Sequence, residues 1–151
     1  MNLEKSWKKV HLGDLGGLSY ELVNAIEGPA VILLSGPVGS GKTTLMKEVL
    51  KQLVGERSSS MSPSYSVIND FENVVHADFY RIEDREEIIH LELPLYLERC
   101  EFMFIEWGKM FWGDLQNMIE DHFQCFELEI IHPSEMDNER DYFLRSLDLF
   151  T

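Results

Sequence analysis

The stretch Gly36-Pro37-Val38-Gly39-Ser40-Gly41-Lys42-Thr43 decides the fold predicted for this 151-residue chain, because it fits the phosphate-loop pattern G-x-x-x-x-G-K-[ST] at every fixed position. The apolar run 30–34 precedes the loop, and residues 44–54 follow it with Leu45 and Val49 at helical spacing. A strand, a glycine loop and a helix in this order form the context that the pattern requires. We therefore predict an α/β protein that binds a nucleotide.

The residue types of this loop explain how it would hold a polyphosphate. Glycines allow backbone N–H groups to turn inward around phosphate oxygens, and the helix that starts at the loop adds the positive end of its dipole. Lys42 is expected to reach the β- and γ-phosphates, and the Thr43 hydroxyl is expected to bind Mg²⁺. The candidate nucleotide contacts in the loop are Gly36, Pro37, Val38, Gly39, Ser40, Gly41, Lys42, Thr43 and Thr44.

The composition of the chain is that of one folded domain, which we assign to residues 1–151. Apolar residues make up 44% of the sequence, and the length is sufficient to bury a core. No run approaches the ~20 apolar residues of a membrane helix, and the start of the chain lacks the apolar core of a signal peptide. A cytoplasmic protein without membrane contact is expected. Cys100 and Cys125 lack the spacing of a zinc or redox site, which favours reduced core residues.

The net charge limits the possible partners. The chain carries 27 Asp and Glu against 13 Lys and Arg, so its formal charge is −14. A protein of this charge repels nucleic acid over most of its surface. We therefore expect no direct contact with RNA, and any role that involves RNA should depend on a protein partner.

Hydrophobic periodicity and turn residues predict the elements of the fold. Strands are predicted over residues 8–12, 30–34, 67–71, 74–79, 102–105, 126–131 and 142–150. Helices are predicted over residues 15–26, 44–54, 84–90 with Asp84 as the cap, 91–99 with a break at Pro94, and 115–123. Together they indicate a P-loop NTPase-like three-layer sandwich, with a mainly parallel sheet and antiparallel edge strands.

A second motif is the apolar strand 102–105, which ends at Glu106. This is the form of a Walker B strand, which delivers a carboxylate to the carboxyl end of a parallel sheet, where ligands bind. The Glu106 carboxylate could hold Mg²⁺ or its bound water. Any buried strand followed by an acid matches this pattern, so the motif gains weight only from the phosphate loop upstream.

Two further segments are candidates for the same site. His76, Asp78 and Tyr80 would share one face of a strand because side chains alternate with period two. The alternative is an edge strand that exposes its polar residues. The turn Ser62-Pro63-Ser64-Tyr65-Ser66 offers three serine hydroxyls that could sense a γ-phosphate, as switch loops do, although alone it is only a turn.

Taken in order, these segments resemble the bacterial TsaE family, also called YjeE, of P-loop ATPases in tRNA threonylcarbamoyladenosine biosynthesis. The H-x-D-x-Y-R segment discriminates best, because many unrelated families share the phosphate loop. The resemblance covers residues 15–131 and rests on the loop 36–44, Ser62-Pro63-Ser64-Tyr65, His76-Ala77-Asp78-Phe79-Tyr80-Arg81 and Glu106-Trp107-Gly108.

The resemblance implies an ATPase that hydrolyses MgATP to ADP and phosphate in association with partners resembling TsaB and TsaD. Those partners install the threonylcarbamoyl group on adenosine 37 of tRNA, and the acidic chain itself is not expected to bind tRNA. By matching motifs, Lys42 contacts phosphate, while Thr43 and Glu106 hold Mg²⁺. Asp78 lies near the metal and the attacking water, and Trp107 lies beside the nucleotide. The implied catalytic residues are thus Lys42, Asp78 and Glu106.

The chain departs from the family pattern in its first-helix region, where Gly13, Gly16 and Gly17 make it less regular, and at two single positions. Ser64 replaces the usual threonine of the S-P-T-[FY] loop, and Lys109 stands where an acid is common. The origin of an arginine finger is also open, with Arg81 as the candidate in this chain and a partner's arginine as the alternative.

Two other functions could use the same loop. A small-molecule kinase would add an arginine-rich lid, whereas arginine is sparse here. A nucleotide-binding interaction module would lack the carboxylate that positions water.

Overall fold

One sheet runs through the part of the chain described by the computed structural model, which comprises residues 2–60, 67–133 and 138–149. Within these ranges the sheet has seven strands in the order β1-β7-β6-β2-β5-β4-β3. Their bounds are Asn2–His11 for β1, Ala30–Ser35 for β2, Ile68–Asp70 for β3, Val74–Asp78 for β4, Phe102–Glu106 for β5, Gln124–Ile131 for β6 and Glu139–Leu147 for β7.

The four central strands β6, β2, β5 and β4 are parallel, whereas β3 at one edge and the pair β7 and β1 at the other are antiparallel. The register sets Glu106 opposite Leu34 of β2 and opposite Asp78 of β4. The carboxyl ends of the three strands β2, β5 and β4 therefore align at one edge of the sheet. The predicted parallel sheet with antiparallel edge strands is confirmed.

Five helices cover the two faces of this sheet within the described ranges. They are α1 (Leu15–Ala25), α2 (Lys42–Val54), α3 (Arg85–His90), α4 (Leu93–Leu97) and α5 (Trp112–Gln116), with short 3₁₀ turns at Leu12–Asp14, Gly55–Ser60 and Lys109–Phe111. The helices α1 and α2 pack on one face, while α3, α4 and α5 pack on the other. This arrangement is the predicted three-layer sandwich. Among the helices of these ranges, none has the length and apolarity needed to cross a membrane.

The central strand β2 belongs to both cores because its apolar run faces both helical layers. Ile32 packs in the core beneath α1 and α2, whereas Val31 and Leu33 pack in the core beneath the other three helices. A strand covered on both faces is expected to be continuously apolar rather than alternating. Full burial of each large apolar side chain stabilises the fold by about 1.5–3 kcal/mol.

The cap predicted for the third helix is confirmed. Asp84 accepts a hydrogen bond from the backbone N–H of Glu87 at 3.0 Å, and the Glu87 carboxylate accepts one from the backbone N–H of Asp84 at 3.3 Å. This reciprocal pair is a capping box, which satisfies two N–H groups that the first turn would leave without a partner.

Two helix predictions are wrong in their details. The helix α4 is not broken by Pro94, because this proline lies in its first turn, where it displaces no helical hydrogen bond. The chain instead changes direction at Glu92, which has a left-handed backbone with φ of 55°. The helix predicted over residues 115–123 ends at Gln116, because the next N–H groups bond three residues back; Met118, for example, donates to the Leu115 carbonyl.

The strands β1 and β7, at the edge of the sheet opposite β3, also differ from prediction. The strand β1 begins six residues before the predicted segment 8–12, and β7 spans Glu139–Leu147 rather than 142–150. These two strands pair antiparallel, with Asn2 opposite Ser146 and His11 opposite Glu139. The register shifts twice along β1, which removes the period-two pattern on which the strand prediction depends.

Candidate functional site

The phosphate-loop stretch joins β2 directly to α2, as the sequence predicts. The backbone of Gly41 has φ of 101°, a conformation that residues with a side chain rarely adopt. At Gly36 a Cβ atom would lie 2.8 Å from the Ile130 carbonyl oxygen. The pattern glycines are thus required by the turn itself and by the close approach of β6.

A cavity of about 470 Å³ opens beside this loop, at the carboxyl ends of β2, β4 and β5. Nine of the predicted site residues line it: Val38, Gly39, Gly41, Lys42, Thr43, Thr44, Asp78, Glu106 and Trp107. The other three loop residues lie around it. Gly36 borders a neighbouring cavity, Ser40 borders a cavity on the far side of the loop, and Pro37 offers its carbonyl oxygen to Lys42.

The Lys42 ammonium lies within the loop. It donates hydrogen bonds to the carbonyl oxygens of Gly36 at 2.6 Å and Pro37 at 3.0 Å and to the Ser40 hydroxyl at 3.3 Å. The same nitrogen lies 4.1 Å from the centroid of the Trp107 ring, within the range of a cation–π contact. Burial lowers the pKa of Lys42, and the nearby Glu106 and Asp78 carboxylates oppose this shift.

Glu106 is almost fully buried, with 2% of its surface exposed, and both of its carboxylate oxygens have partners. Oε1 accepts a hydrogen bond from the Thr43 hydroxyl at 3.2 Å, and Oε2 lies 2.6 Å from Nε2 of His76. Thr43 belongs to the first turn of α2, so this contact joins the helix to the end of β5. A hydroxyl and a carboxylate oxygen at this distance are the types of ligand that Mg²⁺ prefers.

Asp78 ends β4 and lies directly opposite Glu106 in the sheet register. Its carboxylate is half-buried and accepts a hydrogen bond from the backbone N–H of Tyr80 at 3.0 Å. Burial raises the pKa of Asp78 and the Glu106 charge adds to this effect, whereas the Tyr80 N–H, His76 and Lys42 lower it. A raised pKa makes a carboxylate a better proton acceptor.

The interpretation of His76, Asp78 and Tyr80 as one strand face is only partly correct. His76 and Asp78 lie on the α2 side of β4, but the strand ends at Asp78 and Tyr80 follows in the turn. The Tyr80 ring is exposed and lies 5.2 Å from the Trp107 ring, centroid to centroid. The alternative of an edge strand with polar residues outward is wrong, because β4 lies between β3 and β5 and His76 is 2% exposed.

Sequence reasoning missed several residues that support the loop from distant parts of the chain. Arg140 of β7 donates a hydrogen bond from Nε to the Ser40 carbonyl at 3.1 Å, across 100 residues of sequence. Lys109 forms an ion pair at 3.0 Å with the buried Glu127 carboxylate, which also accepts a hydrogen bond from Ser35 at 2.7 Å. No local pattern marks these pairs, since only the order of the strands brings them together.

Two further sequence predictions, the sensing turn and the arginine finger, both stay predictions. The turn Ser62-Pro63-Ser64-Tyr65, with its proposed sensing role, lies outside the described residues. Arg81 lines the main cavity, with its side chain exposed.

The fold and the loop define the class of the protein: a three-layer α/β sandwich of the P-loop NTPase type, with a glycine loop between a central parallel strand and a helix. Residues 12–141 match the family model described as threonylcarbamoyl adenosine biosynthesis protein TsaE. The chain therefore belongs to the TsaE family, and the family prediction is confirmed.

Curated relatives agree with this assignment. The chain is 28% identical over 114 residues to the tRNA threonylcarbamoyladenosine biosynthesis protein TsaE of Rickettsia conorii, a match that covers 73% of this chain and 60% of the relative. It is 36% identical over 72 residues to the protein of the same name from Aquifex aeolicus, covering 44% of this chain and 54% of the relative. The chain thus spans about three fifths or less of the length of these relatives.

The crystal structure of YdiB from Bacillus subtilis has a similar fold. It superimposes with a TM-score of 0.65 and covers 98% of this chain and 88% of the other. The sequence identity between the two chains is 16%, so this likeness bears on the fold alone.

Proposed function

We propose that the protein is an ATPase that supports the formation of N6-threonylcarbamoyladenosine at position 37 of tRNA. It hydrolyses MgATP to ADP and phosphate in the cytoplasm, together with partners resembling TsaB and TsaD. The pathway follows from the family and from the names of the curated relatives. The observation that carries the reaction is the meeting of Lys42, Thr43, Asp78 and Glu106 around one cavity.

The loop and its cavity fit the triphosphate of the substrate. The cavity volume of about 470 Å³ falls within the range of small-molecule sites. The backbone of the loop and the amino-terminal end of α2 border this cavity, so N–H groups and the helix dipole favour an anion there. Lys42 adds a positive charge inside the loop, where it can neutralise phosphate oxygens.

The residues at the carboxyl ends of β5 and β4 also fit Mg²⁺. This ion is commonly held by one or two carboxylates and completed by substrate phosphates and water. The Thr43 hydroxyl and the Glu106 carboxylate provide such oxygens at the cavity wall. Within the ranges that the structure describes, no group of three or more His, Cys, Asp or Glu side chains is arranged to hold a metal, and an ion shared with phosphates needs none.

The reaction depends mainly on positioning and on charge neutralisation, because phosphoryl transfer to water requires little covalent chemistry from a protein. Lys42 stabilises charge on the β- and γ-phosphate oxygens, and Mg²⁺ held by Thr43 and Glu106 would neutralise further phosphate charge. Asp78 orients the attacking water and accepts its proton, a role that its raised pKa supports. Arg81 lines the cavity with an exposed side chain and is the candidate arginine finger in this chain. We expect weak hydrolysis by the isolated chain.

Phosphate release from ATP, measured with and without the TsaB and TsaD pair, tests this proposal. Release that depends on the pair supports the ATPase. ATP consumption that requires an added metabolite and yields ADP without free phosphate would indicate a small-molecule kinase, and tight binding without turnover would indicate a nucleotide-binding interaction module. Either of these results would overturn the proposed reaction.

Two substitutions separate binding from turnover. We expect Lys42→Ala to abolish nucleotide binding, because the charge inside the loop is lost. Asp78→Ala should preserve nucleotide affinity and reduce turnover by about 10²-fold or more, as expected for loss of a general base. Asp121→Ala, which removes an exposed acid remote from the cavity, is the matched control and should change neither value. Full turnover in Asp78→Ala would exclude the role assigned to Asp78.

A further inference from the structure

Four polar side chains form a continuous row behind the main cavity. The Thr43 hydroxyl contacts Oε1 of Glu106 at 3.2 Å, and Oε2 of Glu106 lies 2.6 Å from Nε2 of His76. The other ring nitrogen, Nδ1, lies 3.4 Å from the side-chain nitrogen of Asn69. The row runs from α2 across β5 and β4 to β3, and His76 and Asn69 are both buried.

Sheet register explains why these residues meet. Asn69 of β3 is the direct partner of His76 in β4, and β4 pairs in parallel with β5, which ends at Glu106. All three side chains point to the face that α2 covers, because their neighbours along each strand face the other core. Backbone pairing therefore sets Asn69 directly beside His76, and the His76 ring reaches Glu106 diagonally, because its direct partner in β5 is Phe104.

The direction of each hydrogen bond along the row follows from the amide of Asn69, the residue at its β3 end. The Asn69 amide faces the ring with its nitrogen, which can donate but not accept, so Nδ1 of His76 acts as the acceptor. The ring proton then lies on Nε2, which donates to Oε2 of Glu106. Glu106 thus accepts a hydrogen bond on each oxygen, from His76 on one side and from Thr43 on the other.

From this geometry we infer that His76, held by Asn69, is a positioning residue that fixes the orientation of the Glu106 carboxylate. Holding Oε2 from behind directs Oε1 toward Thr43 and the cavity, where the proposed cation would bind. The inference rests on the proposed function, because it assigns Glu106 and Thr43 to the Mg²⁺ site of an ATPase. It adds two residues outside the cavity wall, His76 and Asn69, that determine how well this site binds its cation.

A purely structural role explains the row less well. The neighbouring side chains on this face are apolar, including Val74 of β4 and Phe104 of β5. Apolar residues at positions 69, 76 and 106 together would extend that core without burying polar atoms, which are expensive to remove from water. His76 is instead placed where Glu106 needs a donor, and partners of this kind orient the ligands of metal ions.

Cation affinity of the nucleotide-loaded protein tests this inference without measuring hydrolysis. Binding of Mn²⁺ to the protein–ADP complex is followed by the electron paramagnetic resonance signal of free Mn²⁺, and ADP affinity is measured separately with EDTA. We expect His76→Leu to weaken Mn²⁺ binding by about 10-fold or more, the usual effect of losing such a partner. ADP affinity without metal should change less than about twofold, since His76 does not line the cavity.

Conservative and matched variants keep the test decisive. His76→Gln should retain most of the Mn²⁺ affinity, because its amide can still donate to Glu106, whereas the shorter side chain of His76→Asn should not. Asn69→Leu should weaken Mn²⁺ binding less than His76→Leu does, because the direct donor to Glu106 remains. His90→Gln, an exposed histidine of α3, is the control and should have no effect. If His76→Leu fails to fold, the comparison of His76→Gln with His76→Asn decides.

Two results would overturn the inference alone. Unchanged Mn²⁺ affinity in His76→Leu and His76→Asn would show that Glu106 needs no positioning partner, and the proposed ATPase would stand. Equal losses of metal-free ADP affinity and Mn²⁺ affinity would indicate general damage to the site rather than positioning. A wild-type protein that binds no ADP, or whose ADP complex binds no Mn²⁺, would instead overturn the proposed function together with this inference.

Discussion

Glu106 and Asp78 are neighbours in the sheet, yet their surroundings differ. Glu106 is buried and accepts hydrogen bonds from two side chains, His76 and Thr43. Asp78 is half-buried and accepts one from a backbone N–H group. Two carboxylates in different environments can take different roles, one as a fixed ligand and one as a proton acceptor. Either role would be hard to assign from residue type alone, since both residues are acids at strand ends.

The raised pKa of Asp78 leads to a prediction about stability. Its pKa in the folded protein lies above 3.8, the ordinary value for an aspartate side chain. The ionised carboxylate therefore destabilises the fold at pH 7. The penalty disappears as the pH falls through the folded-state pKa towards 3.8. We therefore expect Asp78→Asn to raise the thermal unfolding midpoint at pH 7 and to raise it less at pH 4. Asp121→Asn, an exposed acid, should change neither midpoint.

Thermal unfolding by circular dichroism at the two pH values measures this difference. The asparagine oxygen can still accept the hydrogen bond from Tyr80, so the turn after β4 should persist. A lower midpoint for Asp78→Asn at pH 7 would contradict the prediction, because it would mean that the ionised carboxylate stabilises the fold.

At the scale of single elements, local hydrogen bonds set where the helix α3 begins, whereas apolar spacing does not show where α5 ends. The helix α3 starts at the capping box of Asp84 and Glu87, which the sequence reveals directly. The end of α5 is harder to predict from the sequence, because Leu115, Ile119 and Phe123 are all buried at the spacing expected of a helix. Residues beyond Gln116 form turns that bury the same side chains against the sheet. Apolar spacing therefore predicts which side chains are buried more reliably than it predicts the backbone that buries them.

The capping box of α3 can be tested by substitution. We expect Asp84→Ala to lower the free energy of unfolding by about 1 kcal/mol, because the N–H of Glu87 loses its acceptor. Asp84→Asn should have a much smaller effect, since asparagine is an equally good cap. Urea denaturation of the three proteins gives these values. Equal losses in the alanine and asparagine variants would show that the charge of Asp84 matters rather than its hydrogen bond.

At the scale of the whole molecule, the core protects the two cysteines of the chain. Cys100 and Cys125 are both buried and unpaired in the core beneath α3, α4 and α5. Burial raises the pKa of each thiol from 9.0 to about 11. The reactive thiolate is therefore about a hundredfold rarer at pH 8 than in an exposed cysteine.

Thiol labelling should consequently report global unfolding. We expect both cysteines to react with a thiol reagent slowly in the native protein at pH 8 and rapidly in urea, with rates that follow the unfolding curve measured by circular dichroism. Cys100→Ala and Cys125→Ala identify which thiol reacts. Fast labelling of the native protein at either residue would show that this core opens locally.

The sequence by itself determined the phosphate loop, the apolar central strands and the acids that end two of them. It did so because glycine spacing, continuous hydrophobicity and strand-end position are local properties of the chain. The order of the segments was also sufficient to predict the TsaE family, which the family model confirms.

Only the tertiary structure decided which side chains support the loop and Glu106. Asn69 meets His76 through the pairing of β3 with β4, Arg140 reaches Ser40 from the antiparallel edge, and Lys109 finds Glu127 on β6. Arg140 and Lys109 make contacts between segments that are distant in sequence, whereas Asn69 and His76 lie seven residues apart in one hairpin and meet through its register. Strand order and register leave no periodic signal in the sequence, and for that reason these partners could be identified only in the folded molecule.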